Sequence, residues 1–404
     1  MVADPLTIAN AALKVLYLPL VREQLSNKNV LLAQVESNSD DVQGVNWEMS
    51  LHLGRNQGLG SRAELGTLPD AGHRPSAKAT GTLVYHYGLF QVSGPVIRAS
   101  RTDEGSFVRA VSSEQKDILE SLRFDQERQC WGTSDGVIVA TAVTSASTTV
   151  NLGGTAVQRR QLVKGMIIDI GTVASPTSVA SGRTITAVGT STITISGAAV
   201  TTATTDRIFR SGNGGAEGGV GRKERNGVQA LVAASGSVHG LSTATEAAWA
   251  SYVDSTAAAI SDARIEQALD EISISRGDTA SVIGFGSHRV LRAYSATLTT
   301  LKQFTNTIDL KGGFKGLMVG SGGSGEVALT AVRDAPENSI YFIDTMHLKE
   351  HKSSDWEWVD FGGGSVLNPK AGSAGTDAYE GVLYIYADLA VDSRNAHAAI
   401  LNIS

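Results

Sequence analysis

The sequence predicts an α+β protein, in which helices and strands mix without the regular alternation of a doubly wound sheet. Residues 102–131 place apolar side chains at three- and four-residue steps, the period of a helix, and residues 45–53 alternate like a strand. Of the 70 residues from 137 to 206, six are charged, and most of the others are small or β-branched. This charge-poor stretch predicts a small all-β module inserted into the chain.

The composition limits the classes of function that fit. The 404 residues carry a net charge of −6, which argues against a nucleic-acid-binding protein that works through a basic face. The single cysteine, Cys130, excludes an intramolecular disulfide and fits a reducing compartment. No basic start precedes an apolar stretch, and no run approaches the roughly 20 apolar residues that cross a bilayer. We therefore expect a protein made in a cytoplasm, with no membrane partner.

The first hundred residues predict extended segments. Residues 11–20 form a short apolar helix candidate, and residues 36–41 are a solvated loop by composition. The predicted strands at 45–53 and 82–92 are separated by about 28 residues rich in Gly, Pro, Arg and Glu. A long two-stranded ribbon is only marginally stable alone in water, so we expect it to lie on a neighbour.

The rest of the chain predicts one long helix, the β module and a mixed region. At 1.5 Å per residue, the helix at 102–131 would be about 40 Å long. The β module is bounded by Gly136 and by a Gly-rich hinge at 211–221, and a second helical region is predicted at 243–276. The remaining predicted elements are a strand at 280–288, a helix at 287–298, strands at 316–319, 326–333 and 339–351, a Trp- and Gly-rich loop, and two closing strands from 379 onward.

Two glycine clusters have the spacing of a dinucleotide-binding fingerprint. The first, Gly58 to Ala63, is followed by Gly66 and Pro69 before two helical turns could form, so no helix N-terminus is available for a pyrophosphate. The second, Gly320 to Gly325, precedes a stretch without a long amphipathic helix. Both are interpreted as loops, and no cofactor is predicted.

His347, Glu350 and His351 have the H-x-x-E-H spacing of an inverted zinc-peptidase motif. The motif requires a helix, whereas the surrounding residues predict a strand, on which residues four apart stand roughly 13 Å from one another. Cys130 is interpreted as a buried thiol. No catalytic or metal-binding residue is therefore predicted, and a zinc hydrolase remains the alternative from a different functional class.

Taken in order, the parts are an extended arm, a protruding ribbon, a long helix, a mixed α+β region, a Gly- and Trp-rich loop and returning strands. This order resembles the major capsid proteins of tailed bacteriophages, which have the HK97-type fold. Residues 223–253, "KERNGVQALVAASGSVHGLSTATEAAWASYV", are similar to a stretch common in such proteins. The resemblance implies a structural, non-enzymatic subunit that assembles into hexamers and pentamers of an icosahedral head around double-stranded DNA.

The resemblance also implies a division of the chain. The expected parts are an N-arm at 1–44, an extended E-loop at 45–100, the spine helix of the peripheral (P) domain at 101–135, an inserted β domain at 136–211, the axial (A) domain at 212–340, the P-domain strands and P-loop at 341–388, and a C-terminal strand at 389–404.

In such shells, E-loops lie over adjacent subunits and P-loops meet at three-fold axes. The inter-subunit contacts implied for the E-loop are Arg55, Arg62, Glu64, Arg74 and Lys78. Those implied for the P-loop are Trp356, Trp358, Asn368 and Lys370, although the two tryptophans could equally belong to a core.

The implied partners are further copies of the chain, portal and scaffolding proteins, a decoration protein, and packaged double-stranded DNA bound without sequence specificity. Because the chain starts directly in the N-arm, the scaffolding protein is expected to be a separate one. The implied location is the virion, with assembly in the host cytoplasm.

Two alternatives remain open within this structural class. Some members of the family cross-link an E-loop lysine to a neighbour's asparagine with help from a glutamate, for which Lys78, Asn368 and Glu380 are the candidates here. Lys78 lies in a stretch that predicts solvent exposure, so non-covalent assembly is expected. An encapsulin-like nanocompartment shell is the other alternative, although the inserted β module fits a phage better.

Overall fold

The computed structural model describes residues 29–52, 54, 56, 58–64, 66–74, 76–95, 104–215, 222–276, 281–300, 307–311, 314–319, 326–360, 367–369 and 377–404. The helix candidate at 11–20 and the glycine cluster at 320–325 lie outside these residues. The described elements mix helices with a larger number of strands, so the predicted α+β class is confirmed. No helix within the described ranges is long and apolar enough to span a membrane.

The described strands are β1 Glu36–Asn38, β2 Val42–Gln43, β3 Asn46–His52, β4 Ser76–Thr82, β5 Val84–Ser93, β6 Val137–Ala140, β7 Thr144–Ser147, β8 Thr149–Asn151, β9 Ile167–Gly171, β10 Ala180–Val188, β11 Thr192–Ile195, β12 Val200–Thr202, β13 Arg207–Arg210, β14 Ser237–Val238, β15 Leu241–Ser242, β16 Tyr252–Asp254, β17 Val282–Ser287, β18 Thr307–Leu310, β19 Phe314–Val319, β20 Val327–Val332, β21 Ile340–Asp344, β22 Leu348–Lys352, β23 Glu357–Trp358, β24 Asn368–Pro369, β25 Ala378–Val391 and β26 Ala398–Ile400. The described α-helices are α1 Glu104–Cys130, α2 Ala156–Arg159, α3 Val228–Leu231, α4 Asp262–Arg276 and α5 His288–Thr300.

A seven-stranded mixed sheet forms one half of the core, in the order β16-β26-β21-β17-β20-β19-β18. Strand β17 lies in its middle, parallel to β20 and antiparallel to β21. Its residues are almost all buried, as expected of a strand that is covered on both faces. Helices α4 and α5 place Ile265, Leu269 and Tyr294 against this sheet. The predicted strand at 280–288 and helix at 287–298 are therefore confirmed.

A second sheet surrounds the 14-residue strand β25, which pairs with β5 along one side and with β22, β23 and β24 along the other. The predicted long helix is confirmed as α1, and it packs on this sheet because Leu119 and Leu122 share a buried cluster with Leu383 and Ile385. A Cβ atom on Gly88 would lie 2.3 Å from Leu122 Cδ1, so only glycine allows this close approach of helix and strand.

The predicted ribbon is present, but its return strand differs from the prediction. Strand β3 pairs with β4, at Ser76–Thr82, and not with 82–92, which instead forms β5 and pairs with β25. The sequence did not predict β4 because its residues, "SAKATGT", include few apolar side chains that could show the alternation of a strand. Leu83 separates the two strands, because β4 ends at Thr82 and β5 begins at Val84.

The charge-poor region forms a closed six-stranded barrel. Its strands follow the order β6-β13-β9-β10-β11-β8, and a bridge between Thr141 and Leu152 joins the last strand to the first. A cluster of buried residues drawn from 138–208, among them Ile170, Ile185 and Ile208, fills the interior. Within the barrel, β10 and β11 form an antiparallel hairpin.

Three further sequence predictions were wrong. Glu36–Asn38 forms a strand parallel to β22 rather than a solvated loop. Residues 243–261 form no α-helix and only a 3-10 turn at Ala247–Trp249, because Val253 lies in β16, whose parallel pairing with β26 overrides the helical spacing of the apolar residues. The predicted strand at 339–351 is split into β21 and β22 by a turn that contains His347.

Candidate assembly surface

The ribbon of β3 and β4 has one buried and one exposed face. Trp47, Met49 and Leu51 point inward, and the residues between them are exposed. On the outer face, Lys78 Nζ lies 2.5 Å from Glu48 Oε2, and the two side chains are 62% and 44% exposed. The predicted contact residue Lys78 is therefore on the surface, with its ammonium group engaged by its own chain.

Most described residues of the loop at the end of the ribbon are exposed. Two of its arginines bind backbone carbonyls nearby: Arg62 Nε donates to the Thr67 oxygen at 2.8 Å, and Arg74 Nε to the Gly54 oxygen at 3.1 Å. Glu64 is exposed, and Arg55 lies outside the described residues. Residues 58–64 contain no helix, so the glycine spacing does not form a phosphate site.

Two leucines that sequence reasoning did not single out are the most exposed apolar side chains on this loop. Leu59 is 84% exposed and Leu68 is 79% exposed. A single exposed leucine is ordinary, but two on one loop add exposed apolar area to an otherwise polar segment. The signal in the sequence was their isolation among Gly, Ser and charged residues.

The base of the ribbon is anchored by Trp47, which is fully buried between two histidines. Its ring stacks on His351, with centroids 4.9 Å apart and planes 8° apart, and meets the edge of His239 at 4.7 Å. The backbone N–H of Val391 donates to His239 Nε2 at 3.2 Å, so that nitrogen carries no proton. Burial lowers the pKa of His239 to about 3 and lowers that of His351, and both rings are neutral at neutral pH.

In the segment Arg222–Asn226 every residue except the exposed Lys223 is buried or partly buried, and the segment binds two carboxylates of the β25 sheet. Arg225 NH1 lies 2.6 Å from Glu350 Oε1, and Arg222 binds both carboxylate oxygens of Asp388 at 2.8 and 2.9 Å. Asn226 donates to the same carboxylate through its backbone and side-chain N–H groups. The sequence did not reveal this role, because mixed charges in a row do not show which of them face inward.

Helix α1 is tied to the same segment by charged groups. Arg128 NH2 lies 2.6 Å from Glu224 Oε1 and 3.1 Å from Asp125 Oδ1. Burial alone would raise the pKa of Asp125, but the charges of Arg128 and Arg210 outweigh burial and hold it well below its usual range. The helix is thus held in place by ion pairs at its C-terminal half, in addition to the apolar contacts of Leu119 and Leu122.

The residues predicted for the P-loop are separated by the structure. Trp356 is 1% exposed and packs with Leu119 and Leu383, so its indole belongs to the core of its own subunit. Trp358 is partly exposed and meets Phe90 edge-on at 5.8 Å. Asn368 lies directly opposite Glu380 on paired strands, and Lys370 lies outside the described residues.

The chain overlays on solved structures of shell-forming proteins along most of its length. The capsid asymmetric unit of cyanophage A-1(L) overlays with a TM-score of 0.55 and 12% identity, covering 93% of each chain. The holo-SrpI encapsulin complex from Synechococcus elongatus PCC 7942 gives a TM-score of 0.46 at 10% identity, over 93% of this chain and 88% of that one. The capsid of a native GTA particle gives 0.46 at 9%, over 93% and 91%. No family model and no curated protein sequence matches the chain.

The fold is that of a phage capsid subunit. This conclusion rests on the cyanophage overlay, which covers nearly all of both chains. The resemblance to tailed-phage capsid proteins, inferred from the order of parts along the sequence, is confirmed at the level of the fold.

The zinc-peptidase spacing does not produce a metal site. Glu350 is held by Arg225, and His351 is stacked on Trp47, on the opposite side of strand β22. His347 lies in the preceding turn, where its Nδ1 is 2.6 Å from Asp392 Oδ1. Within the part of the chain that the structure describes, no group of three His, Cys, Asp or Glu residues could hold a metal ion. Cys130 is buried, as predicted, and burial raises the pKa of its thiol to about 12.

Proposed function

We propose that this chain is a major capsid protein that assembles into hexamers and pentamers of an icosahedral phage head around double-stranded DNA. The observation that carries the proposal is the overlay of the whole chain on a cyanophage capsid subunit. A non-enzymatic, structural role is part of this proposal, and it agrees with buried charged groups that pair with one another.

The proposed division of the chain into structural parts follows their order along the sequence. Residues 1–44 are the N-arm, 45–100 the E-loop, 101–135 the spine helix, 136–211 an inserted β domain, 212–340 the A-domain, 341–388 the P-domain strands and P-loop, and 389–404 the C-terminal strand. The pairing of β4 with β3, and of β5 with β25, supports a ribbon that leaves the subunit where one sheet passes into the next.

In this proposal the ribbon loop lies over the next subunit. Its support is the pair of exposed leucines, Leu59 and Leu68, beside the charged groups of Arg62, Glu64 and Arg74. Arg55 and Lys78 belong to the same proposed contact, and Trp358, Asn368 and Lys370 to the proposed P-loop contact. Leucines flanked by charges have the make-up of an interface with an apolar centre and a polar rim.

The proposed partners beyond the chain itself are portal and scaffolding proteins, a decoration protein, and DNA held without sequence specificity. The net charge of −6 suits a container, because an inner wall that bound the genome tightly would hinder packaging and release. The proposed place of the protein is the virion, after assembly in the host cytoplasm.

Electron microscopy of negatively stained protein, expressed alone and with its neighbouring genes, tests the proposal. We expect closed shells tens of nanometres across; a small monodisperse particle under both conditions would contradict shell formation. Particles isolated from the natural source then separate the two kinds of shell. Nuclease-protected double-stranded DNA inside them supports a phage head, whereas a protein cargo without DNA identifies an encapsulin-like compartment.

A further inference from the structure

Strand β5 pairs with β25 on one side only. The pairing runs without a break from Val84 opposite Ala387 to Ser93 opposite Ala378. Along its other side, no described strand pairs with β5. A ten-residue edge strand with exposed apolar side chains is a template for a further strand, and proteins usually shorten, charge or cover such edges.

The hydrogen bonds of β25 show which backbone groups of β5 face this open side. The N–H groups of Ser353 and Val359 donate to the carbonyl oxygens of Tyr386 and Val382, so the even-numbered residues of β25 here point their backbone groups away from β5. The odd-numbered residues of β25 therefore bond to β5, through its own even-numbered residues. It follows that the backbone groups of β5 residues 85, 87 and 89 point to the open side.

These outward-facing backbone groups have no partner among the described residues. The side chains of Tyr85, Tyr87 and Leu89 are also about half exposed, at 46%, 53% and 53%. The tyrosines form a cluster with β25, in which Tyr85 meets Tyr386 edge-on at 4.7 Å. Rigid tyrosine rings beside free N–H and C=O groups offer both contact area and hydrogen bonds to an extended chain.

A groove of about 350 Å³ runs along this open side and has a cationic end. It is lined by β5 from Tyr85 to Leu89, by helix α1 between Ile118 and Gln129, and by a wall that contains Arg210, Asn213 and Lys223. The Lys223 end lies at the start of β5, because the neighbouring Arg222 donates to the Thr82 carbonyl. Arg210 reaches Asp125 at 3.4 Å with one nitrogen, while its Nε has no partner, and no described acidic group pairs with Lys223.

We propose that this groove binds a single extended segment of a partner protein, which adds a strand to the open edge of β5 and places a carboxylate between Arg210 and Lys223. The antiparallel orientation puts the C-terminal end of that segment next to the two cations, because β5 begins there. The main-chain bonds supply affinity, and the cations together with the tyrosines select the sequence.

The walls of the groove favour a lone strand over the edge of a second subunit. A second copy that paired through its own β5 would bring its own wall of Arg210, Asn213 and Lys223 against the first. The wall of each copy would then occupy the space that the strand of the other copy needs. The proposal concerns the surface of one subunit and does not depend on whether shells form.

Fluorescence anisotropy with a synthetic peptide tests the proposal on the full chain. The probe is fluorescein-Val-Thr-Val-Thr-Val-Glu-Glu-amide, which alternates like a strand and carries its carboxylates at the C-terminal end. We expect saturable binding that weakens at least tenfold when the two glutamates are moved to the N-terminal end. Two versions of the peptide, N-methylated at one or the other set of alternate residues, should differ in affinity, because only one set of N–H groups faces β5.

Protein variants locate the binding. Tyr87→Pro removes an N–H that faces the groove without touching the bonds to β25, whereas Tyr87→Ala removes the ring and keeps the N–H. We expect Tyr87→Pro to bind at least tenfold more weakly than Tyr87→Ala, with equal thermal stability. Lys223→Glu should weaken binding about tenfold, and Lys164→Glu, an exposed lysine on the barrel that does not line the groove, should leave it unchanged.

Three results would overturn the proposal. The first is no binding of the parent peptide, and the second is equal binding of both methylated isomers or of both Tyr87 variants. The third is an oligomer of the full chain that resists the peptide and that Tyr87→Pro, but not Tyr87→Ala, dissociates. That last result would assign the edge to another copy of this chain.

Discussion

Trp47 stacks flat on His351, with ring centroids 4.9 Å apart and planes 8° apart. The contact joins the first strand of the ribbon to the strand that also carries Glu350. Both nitrogens of His351 are buried without a hydrogen-bond partner among the described residues. The stack is therefore held by packing, and its stability depends on the room available around the indole.

That room is provided by Gly81, where a Cβ atom would lie 2.2 Å from Trp47 Cζ2. We expect Gly81→Ala to lower the free energy of unfolding by about 2–3 kcal/mol, because the methyl group displaces the ring. Trp47→Ala should cost about 3–5 kcal/mol through the cavity it leaves. Urea denaturation monitored by fluorescence measures both, with the exposed Thr80→Ala as a control that changes little. An unchanged midpoint in Gly81→Ala would contradict the tight fit.

The buried pair of Arg225 and Glu350 should respond differently to single and double substitution. Glu350→Gln leaves an unpaired buried guanidinium and is expected to cost about 3–5 kcal/mol. Arg225→Met combined with Glu350→Gln should recover much of that loss, because no charge remains to be buried. The exposed pair of Lys78 and Glu48 is the matched comparison, and Glu48→Gln should cost about 1 kcal/mol or less. Additive losses in the double variant would contradict the coupling.

Glu127 should make stability fall as the pH rises. Burial, followed by the nearby charge of Asp334, raises the pKa of Glu127 to about 7, while Arg123 and Arg333 oppose the shift. The folded state then binds more protons than the unfolded state between about pH 4.5 and 7. The contribution of Glu127 to the free energy of unfolding is fully present below that window and is lost as the pH rises through about 7.

The variant Glu127→Gln should therefore gain up to about 3 kcal/mol over the natural protein at pH 8, and little at pH 5. The difference in melting temperature between the two proteins, measured from pH 5 to pH 8.5, isolates this group. The comparison is needed because the buried histidines act in the opposite direction: burial lowers the pKa of His86 and His397 to about 4. A difference that does not vary with pH would contradict the assignment.

Changing Arg62 and Glu64 together to alanine should weaken particles without unfolding subunits. Both side chains are exposed on the ribbon loop, and their removal leaves the buried face of the ribbon intact. We expect fewer and less heat-resistant shells, with an unchanged circular dichroism melt of the free subunit. Arg159→Ala with Glu266→Ala keeps the same change in charge outside the proposed contacts. Equal particle yields from the two double variants would count against the ribbon contact.

Assembly is expected to remain non-covalent. The ammonium group of Lys78 is engaged by Glu48 in the same chain, and Asn368 lies opposite Glu380 on neighbouring strands of its own subunit. Particles boiled in SDS should give one band at 42.2 kDa. A ladder of multimers that Lys78→Arg removes would instead show a bond from this lysine to a neighbour.

The sequence predicted elements whose own side chains carry the signal. The alternation of Trp47, Met49 and Leu51 predicts β3, and the helical spacing of Leu119 and Leu122 predicts α1, since each pattern reflects one buried face. Elements that exist because of distant partners were missed. Strand β16 is short and forms because it lies parallel to β26, and no local pattern contains that information.

The candidate site was predicted only in part, for a related reason. The charged residues of the ribbon loop were found because a long loop rich in Gly and Arg is visible in the sequence. Arg222 and Arg225 were not recognised, because their carboxylate partners Asp388 and Glu350 lie more than a hundred positions away. The open edge of β5 was also invisible, because the unpaired side of a strand depends on how the whole sheet is ordered.

The chain enters and leaves the barrel at neighbouring points. The strand that comes first along the chain, β6, pairs with the one that comes last along the chain, β13, and the N–H of Gly215 donates to the carbonyl of Asp135. A segment that leaves and re-enters at one point can be exchanged for another of different size without rethreading the rest of the chain, and closing a short gap costs little conformational entropy. Position 136 is thus a suitable site for inserting a different domain. An enzyme, an antigen or a fluorescent protein whose termini lie close together could replace the barrel, leaving both sheets of the core as they are.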